Sequence, residues 1–170
     1  MTEFIDILDE SGHTTGKIKP REDVHKDGDW HRAVCVWIIN NAGEILLQRR
    51  APHKSYPNSW ANSVIGHVMA GDTALDTTMR EMVEELGVEF TKESFDYIGQ
   101  LTYLKGKEFF DCYIVRTDLP LSEFKFDPAE ATAIKFFTID EITSGIQSKD
   151  DDFRAIALEE LQLLLNSIKS

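Results

Sequence analysis

The chain has 170 residues, of which 42% are hydrophobic and 28% are charged. This composition is typical of one globular domain, which at this length buries roughly 70% of its unfolded surface. Thirty acidic residues against 18 basic ones give a formal net charge of -12. Nucleic acids and anionic membranes are held by clustered Lys and Arg, so this balance argues against both as partners. A small anionic ligand stays open, because a few local cations or a bound metal ion can reverse the charge of one pocket.

The cysteines and the N-terminus bear on the cellular compartment. Cys35 and Cys112 lie in apolar runs without metal-ligand spacing, which predicts buried free thiols in a reducing cytosol, with one disulfide as the alternative. The N-terminus lacks an apolar signal core, and no run approaches the ~20 apolar residues that cross a bilayer. The sequence therefore predicts a cytoplasmic protein without a membrane partner.

The first part of the chain is predicted to form strands. Residues 4–8 alternate in polarity and, with a glycine-containing turn and a second extended segment ending at Pro20, predict a hairpin. Residues 21–30 are polar and predict a loop. The apolar run 33–39 predicts a strand buried on both faces, and 44–49 predicts the strand that returns from it.

Helical spacing begins later in the chain. Apolar residues recur every three or four positions over 74–86, and Gly87 predicts the end of that helix. An apolar stripe predicts a terminal amphipathic helix over 150–168. Further strands are predicted at 95–104, 108–116 and 132–138. Without a repeat or linker, residues 1–170 predict a single mixed α/β domain, in which 1–30 form the N-terminal hairpin and loop.

The first predicted helix carries three carboxylates on one face. Glu81, Glu84 and Glu85 stand at i, i+3 and i+4, opposite the apolar stripe. Like charges at this spacing cost about 0.2–0.5 kcal/mol per pair, and carboxylates in the last turn oppose the helix dipole at about 0.3–1 kcal/mol each. Arg80 can pair with Glu84 but cannot neutralise three anions. Mg²⁺ can, because it takes oxygen ligands and shares them with substrate phosphates, and Asp72 at the helix entrance could contribute. The alternative is a solvated acidic face.

The segment from Gly66 to Val88 resembles the Nudix box, which is a glycine, five residues, a glutamate, seven residues and then R-E-U-x-E-E-x-G-U, with U aliphatic. The match covers 23 residues, and its single departure is Asp72, where the family usually has glutamate. The resemblance implies a Nudix α/β/α sandwich with a mixed sheet, here extended by the N-terminal β-hairpin. It also implies hydrolysis of a diphosphate linked to another moiety, with Mg²⁺ or Mn²⁺ held mainly by the three glutamates.

Resemblance extends beyond the box to type 1 isopentenyl-diphosphate isomerase, itself an enzyme of the Nudix fold. The similar segments are residues 49–54 and 60–67. That isomerase needs a cysteine as catalytic acid/base directly before the Gly-His pair, where this chain has Ile65. It also loses the first and second metal-binding glutamates of the box, whereas this chain keeps Glu81 and Glu84. The chain is therefore predicted to be an isomerase-like Nudix hydrolase.

Some residues shared with the isomerase could contact the substrate. Arg50 and Lys54 match positions that hold its diphosphate, with basic residues on a surface loop as the alternative. His31 and His67 match its metal ligands, but without the cysteine a structural or substrate-contact role is favoured for both. Glu108 aligns loosely with its acidic catalytic position. The predicted substrate-binding residues are Arg50, Lys54, Trp60, Gly66 and His67.

The box does not settle which residue is the general base for the attacking water. Glu130, which precedes a late predicted strand, is the candidate from a loop. Glu84 or Glu85 is the alternative from the box itself. Arg80 completes the predicted catalytic set.

Three hypotheses follow from these residues. The leading one is metal-dependent hydrolysis of a diphosphate bond in a nucleoside di- or triphosphate or another diphosphate-linked small molecule. The alternatives are isopentenyl-diphosphate isomerisation and a non-catalytic, nucleotide-sensing Nudix module. The substrate stays open among nucleotides, dinucleotides and isoprenoid diphosphates. Trp30, Tyr56 and Trp60 could stack on a nucleobase, although such aromatics belong more often to the core. The N-terminal hairpin could also pair across a homodimer.

Overall fold

Residues 2–169, which the computed structural model describes, form nine strands and four α-helices. The strands are β1 Phe4–Leu8, β2 Thr14–Pro20, β3 His31–Ile39, β4 Ile45–Arg50, β5 Trp60–Ala61, β6 Val64–His67, β7 Phe95–Tyr103, β8 Glu108–Arg116 and β9 Ala131–Phe137. The helices are α1 Arg21–Asp27, α2 Ala74–Leu86, α3 Ile139–Gln147 and α4 Leu158–Ile168. None of these helices has the length and apolar character that crossing a bilayer requires.

A mixed sheet forms the middle layer. Its strand order is β5-β4-β3-β8-β7, with β6 beside β3 and β9 beside β4. Strands β3 and β8 run parallel, and the other pairs are antiparallel. Cys35 and Trp37 of β3 face the core beneath α3 and α4, whereas Val34 and Val36 face the core beneath α2. Helices cover both faces of the sheet, so the predicted α/β/α sandwich is confirmed.

The N-terminal hairpin is present as predicted, but the loop predicted at 21–30 is wrong. Strands β1 and β2 pair antiparallel, and α1 follows directly. Acidic residues in the first turn of α1 and basic residues in its last turn suit the helix dipole, and Gly28 ends it with a φ of 67°. Its buried Val24 packs with Ile5 and Ile7 of the hairpin. A seven-residue helix with one buried apolar side chain has no periodicity to detect.

The terminal helix is shorter than predicted. Helix α4 begins at Leu158, and Asp151–Phe153 form a separate 3₁₀ turn that the Asp150 side chain caps. Ala157, with a ψ of 145°, is extended and interrupts helical continuation. Ile156 is nevertheless buried in the same core as α4, which explains why one apolar stripe runs through the whole segment.

Strands β3 and β4 part after two residue pairs. They pair at Ile38–Leu46 and Ile39–Ile45, beyond which β6 lies beside β3 and β5 lies beside β4. The buried Ser63 joins the two halves of the sheet. Its hydroxyl accepts from the Ile38 N–H at 2.8 Å and donates to the Leu46 carbonyl at 2.6 Å. The Ser63 hydroxyl therefore links the backbones of β3 and β4 where their direct pairing ends.

Replacing Ser63 with alanine tests this bridge. Ser63→Ala leaves a buried N–H and a buried carbonyl without their partner, so we expect the free energy of unfolding to fall by about 2 kcal/mol. Urea denaturation followed by circular dichroism measures it. Ser11→Ala, in the exposed hairpin turn, is the matched control and should change stability by less than about 0.5 kcal/mol. Equal stabilities of the two variants would contradict the assignment.

Candidate active site

Two adjoining cavities lie where β3 and β4 part. The larger cavity has a volume of about 470 Å³ and the smaller cavity one of about 140 Å³. The residues that line both are Arg21, Lys54, Ile65, His67, Glu85 and Glu130. Side chains from separate parts of the chain therefore meet at one place, as an active site requires.

Helix α2 directs its carboxylates to the smaller cavity. Glu81, Glu84 and Glu85 line it together with Gly66 of β6. A Cβ on Gly66 would lie 2.4 Å from Cγ of Glu81. The glycine that opens the box is therefore needed for the close approach of β6 to α2.

The sequence predicted one shared acidic face, but the structure gives the carboxylates different surroundings. The Glu84 side chain is 57% exposed, whereas Glu85 is 7% exposed. Glu85 is buried, as are Met82 and Leu86, because Gln48 of β4 covers it. Nε2 of Gln48 donates to Oε2 of Glu85 at 2.7 Å. Glu85 is thus buried and held in one orientation, whereas Glu84 extends into solvent.

Burial makes the two inner carboxylates hard to ionise. Desolvation raises the pKa of Glu81 to about 7 and the pKa of Glu85 to about 8. Arg80 opposes the shift at Glu81, but its Nη1 is shared, lying 3.0 Å from Oε1 of Glu81 and 3.0 Å from Oε2 of Glu84. At Glu85 the hydrogen bond from Gln48 and the charge of Lys54 oppose the shift. Arg80, Gln48 and Lys54 therefore offset only part of the cost of burying Glu81 and Glu85.

These donors fit a hard divalent cation. Carboxylate oxygens from three residues line one small cavity, and a doubly charged ion would offset their desolvation. Asp72 is not brought to this group, since its side chain is exposed and lines neither cavity. It lies in a tight turn closed by its own N–H, which donates to the Met69 carbonyl at 3.0 Å. The structure thus groups three of the four predicted metal ligands.

The loop after β4 brings cations to the cavities. Arg50 and Lys54 line the larger cavity, and Arg50 donates from Nε to the Ser55 carbonyl at 2.5 Å. Lys54 forms an ion pair with Glu130, the loop residue predicted as general base. Both members of this pair lie beside Glu85 in the wall of the two cavities. The predicted phosphate-binding and proton-accepting residues are therefore neighbours.

The three aromatic candidates are placed differently. Trp60 is 8% exposed, packs edge-on against Phe137 at 4.8 Å and lines neither cavity. Trp30 stacks on Phe109 at 4.8 Å. Tyr56 lines the larger cavity and is exposed. Of these three, Tyr56 is the one in a position to contact a ligand in the larger cavity.

A second group of metal-ligand side chains borders the larger cavity. It comprises His25 of α1, His31 of β3, His67 of β6 and Glu108 of β8, whose ligand atoms all lie within 4.8 Å of one another. Nδ1 of His31 donates to the Asp29 carbonyl at 2.9 Å. The other ring nitrogen, Nε2, is buried, has no hydrogen-bond partner and is the atom that His31 offers to this group. Oε1 of Glu108 lies 3.4 Å from Nε2 of His31 and 3.4 Å from Nε2 of His67. Three imidazoles and a carboxylate suit a borderline ion such as Zn²⁺.

The sequence singled out every member of this His/Glu cluster except His25. His25 lies in the segment predicted as a loop, where no element was available to orient it. A histidine in a short polar stretch is by itself no signal for a ligand. Burial lowers the pKa of His25 and the pKa of His67, which favours the neutral imidazole that binds metal ions.

Comparisons with known proteins agree with the family resemblance of the segment from Gly66 to Val88. The NUDIX domain family profile matches residues 29–161. Nudix hydrolase 3 of Arabidopsis thaliana is 39% identical over 160 aligned residues, which cover 87% of this chain but 21% of that longer protein. The isopentenyl-diphosphate Delta-isomerase of Pectobacterium atrosepticum is 27% identical over 91% of this chain and 87% of its own length. A crystal structure of a protein from Deinococcus radiodurans superimposes with a TM-score of 0.71 at 25% identity, over 86% of this chain and 90% of that one.

The raised carboxylate pKa values predict an unusual pH dependence. In the presence of a chelator, the free energy of unfolding should fall as the pH rises from 5 to 8. The folded state holds protons on Glu81 and Glu85 in this window that the unfolded state has released, so folding weakens as they dissociate. Glu85→Gln removes one such group and should be more stable than the wild type at pH 8, by on the order of 3 kcal/mol.

Urea unfolding at each pH measures this difference. Glu89→Gln, an exposed carboxylate just beyond α2, is the matched control and should follow the wild type. If the free energy of unfolding changes with pH by the same amount in Glu85→Gln and in the wild type, Glu85 is not desolvated as described.

Proposed function

Since the chain belongs to the Nudix family, we propose that it is a divalent-metal-dependent pyrophosphohydrolase, which cleaves a diphosphate bond in a nucleoside di- or triphosphate or another diphosphate-linked small molecule. The observation that carries this proposal is the desolvation of Glu81 and Glu85 beside Glu84, an arrangement that costs stability unless a cation offsets it. The match to Nudix hydrolase 3 supports the class of enzyme.

The residues of the cavity walls have separate tasks. Glu81, Glu84 and Glu85 would hold Mg²⁺ or Mn²⁺, which when bound supplies charge neutralisation and an acidified water. Arg50 and Lys54 hold the phosphoryl oxygens of the diphosphate, since both line the larger cavity next to these carboxylates. Arg80, shared between Glu81 and Glu84, keeps the two carboxylates in fixed positions.

Glu130 is the general base that the geometry supports best. Its carboxylate pairs with Lys54, and a substrate phosphate that takes over this lysine leaves Glu130 free to accept a proton. The water oxygen bonds to phosphorus, the bridging P–O bond breaks, and the proton of the water passes to the carboxylate oxygen. Glu85, oriented by Gln48, is the alternative base. Glu84 is the third candidate and the most exposed.

Glu84 offers the cleanest test, because an exposed side chain can be changed without disturbing the fold. Glu84→Gln should lower kcat/KM for diphosphate hydrolysis by roughly 100-fold, since a carboxylate of the metal site is lost. The assay follows release of phosphate or a monophosphate from a panel of nucleoside diphosphates with Mg²⁺ or Mn²⁺. Glu89→Gln should keep wild-type activity. Equal activity of the two variants, or no turnover by a protein that binds the metal, counts against the proposal, and tight ligand binding without turnover would favour the sensing module.

A second candidate function, isopentenyl-diphosphate isomerisation, is favoured by the assembled His/Glu cluster and by the isomerase among the relatives. Against it, the aliphatic Ile65 lines both cavities at the position where that enzyme needs a cysteine. Formation of the allylic isomer from isopentenyl diphosphate would support this candidate, and phosphate release without isomer would support the hydrolase. For a hydrolase, the cluster provides a second metal site beside the box.

The cluster can be tested without any substrate. His67→Gln should weaken Zn²⁺ binding by about 10- to 100-fold, because one of three imidazole ligands is removed. Competition against a chromophoric chelator measures the affinity. His13→Gln, an exposed histidine in the hairpin turn, should bind Zn²⁺ as the wild type does. The same affinity in both variants would show that the cluster is not a metal site.

The remaining predictions concern partners and compartment. The buried thiols of Cys35 and Cys112 are both free, which supports a reducing compartment such as the cytoplasm. The substrate is a small molecule rather than a nucleic acid, in keeping with the acidic charge balance. The homodimer is supported by Phe4 and Ile18, which are half exposed or more on the outer face of the hairpin.

A further inference from the structure

The larger cavity has a polar region that the proposed reaction does not use. Asn62, between β5 and β6, is 1% exposed and belongs to its wall. Nδ2 of Asn62 donates to Sγ of Cys35 at 2.8 Å, while its Oδ1 is buried without a hydrogen-bond partner. Buried acceptors are rarely left unpaired in proteins, so this wall indicates a ligand that brings donors.

Glu160 adds a carboxyl group to the same region. It lies in the first turn of α4 and lines the larger cavity beside Asn62. Its Oε2 accepts from the Ala157 N–H at 3.4 Å, and Asn62 is hydrogen-bonded to it. Burial raises the pKa of Glu160 to about 7, and the charges of Glu159 and Glu108 reinforce that shift. Near neutral pH the carboxyl group is therefore partly protonated, and in both of its forms it keeps an oxygen that can accept a hydrogen bond.

The two ends of the larger cavity differ in charge. Lys54 and Glu85 line both cavities, so the diphosphate end is the one that adjoins the smaller cavity. Arg50, Asn62 and Glu160 line the larger cavity alone. The charges of Glu85 and Glu130 act on Arg50, whereas Asn62 is hydrogen-bonded to Glu160, so Arg50 belongs to the diphosphate end and the other two to the opposite one.

A phosphate group next to Glu160 would meet like charge whenever this carboxyl group is ionised, and the carboxylates of Glu159 and Glu108 act on the same place. Arg154, a cation of the same wall, lies 4.0 Å from a carboxylate oxygen of Asp151 and also donates to the Pro57 carbonyl at 3.0 Å. The part of a ligand that reaches Glu160 is therefore its non-phosphate part.

We propose that Glu160 and Asn62 form the subsite for the organic group attached to the diphosphate, and that this group carries hydroxyl or amino donors, as a nucleoside or sugar does. A hydrocarbon chain in the same place would leave the acceptors of the wall unpaired. The inference rests on the proposed function, which places the diphosphate at the end with Arg50 and Lys54. It narrows the substrate from any diphosphate to one with a hydrogen-bonding organic group.

The test compares two inert ligands, methylene-bridged diphosphate analogues that carry either adenosine or a geranyl chain. Isothermal titration with Mg²⁺ present gives both dissociation constants for the full chain. The wild type should bind the adenosine analogue at least about tenfold more tightly. Glu160→Leu should bring the two affinities close to equal, whereas Glu160→Gln, which keeps an acceptor oxygen and the contact with Ala157, should retain most of the preference. Glu159→Leu, on the exposed side of the same turn, should behave as the wild type.

Each outcome bears on the inference independently of hydrolysis. If the geranyl analogue binds as tightly as the adenosine analogue, or if Glu160→Leu folds and keeps the wild-type ratio, the subsite is wrong. Failure of both analogues to bind at about 1 mM overturns it as well. If Glu160→Leu does not fold, Glu160→Ala is used instead, because it removes the same acceptor with a smaller side chain. The ratio of its two affinities is then compared with that of the wild type. Hydrolysis of ADP and of geranyl diphosphate is assayed separately. If the adenosine analogue binds more tightly but neither ADP nor geranyl diphosphate is hydrolysed, the hydrolase proposal is refuted and the subsite proposal is not.

Discussion

The separation of two neighbouring strands opens the sheet where the two cavities of the candidate active site lie. Strands β3 and β4 pair over only two residue pairs and then diverge. Their backbone hydrogen bonds are kept, because β3 also pairs with β6 and β8, and β4 also pairs with β5 and β9. Ser63 bridges the point of divergence. Its carbonyl also accepts from Gln48 at 2.5 Å, and Gln48 in turn orients Glu85. The feature that opens the sheet is thus connected through two side chains to the carboxylate at the bottom of the cavity.

The acidic groups illustrate how a binding site is maintained at the expense of stability. Glu81, Glu85 and Glu160 each have a pKa raised by burial, so each is harder to ionise here than in water. A fold optimised for stability alone would replace them with apolar side chains of similar size. The proposed function and the proposed subsite account for their presence on cavity walls, by a cation beside the first two and a ligand donor group beside the third.

The parts of the fold that sequence could predict are those with a local pattern. Strand β3 and helix α2 follow from an apolar run and from helical spacing, and the three box glutamates follow from their spacing on α2. The rest depends on contacts that no local pattern encodes. Glu160 looks like any acidic residue in a first helical turn, but it lies in the wall of a cavity and is hydrogen-bonded to Asn62, almost 100 residues earlier in the chain. For the same reason the sequence placed Trp60 in the site, whereas its ring packs into the core.

Helix α1 has a consequence for where this domain can be cut. The family match begins at residue 29, after α1 has ended. A chain trimmed to that limit would keep every glutamate of the box and the whole sheet. It would lose His25 from the His/Glu cluster and Arg21 from the wall that the two cavities share. The shortest segment that the family profile recognises is therefore shorter than the segment that holds the whole His/Glu cluster and both cavity walls, which includes α1.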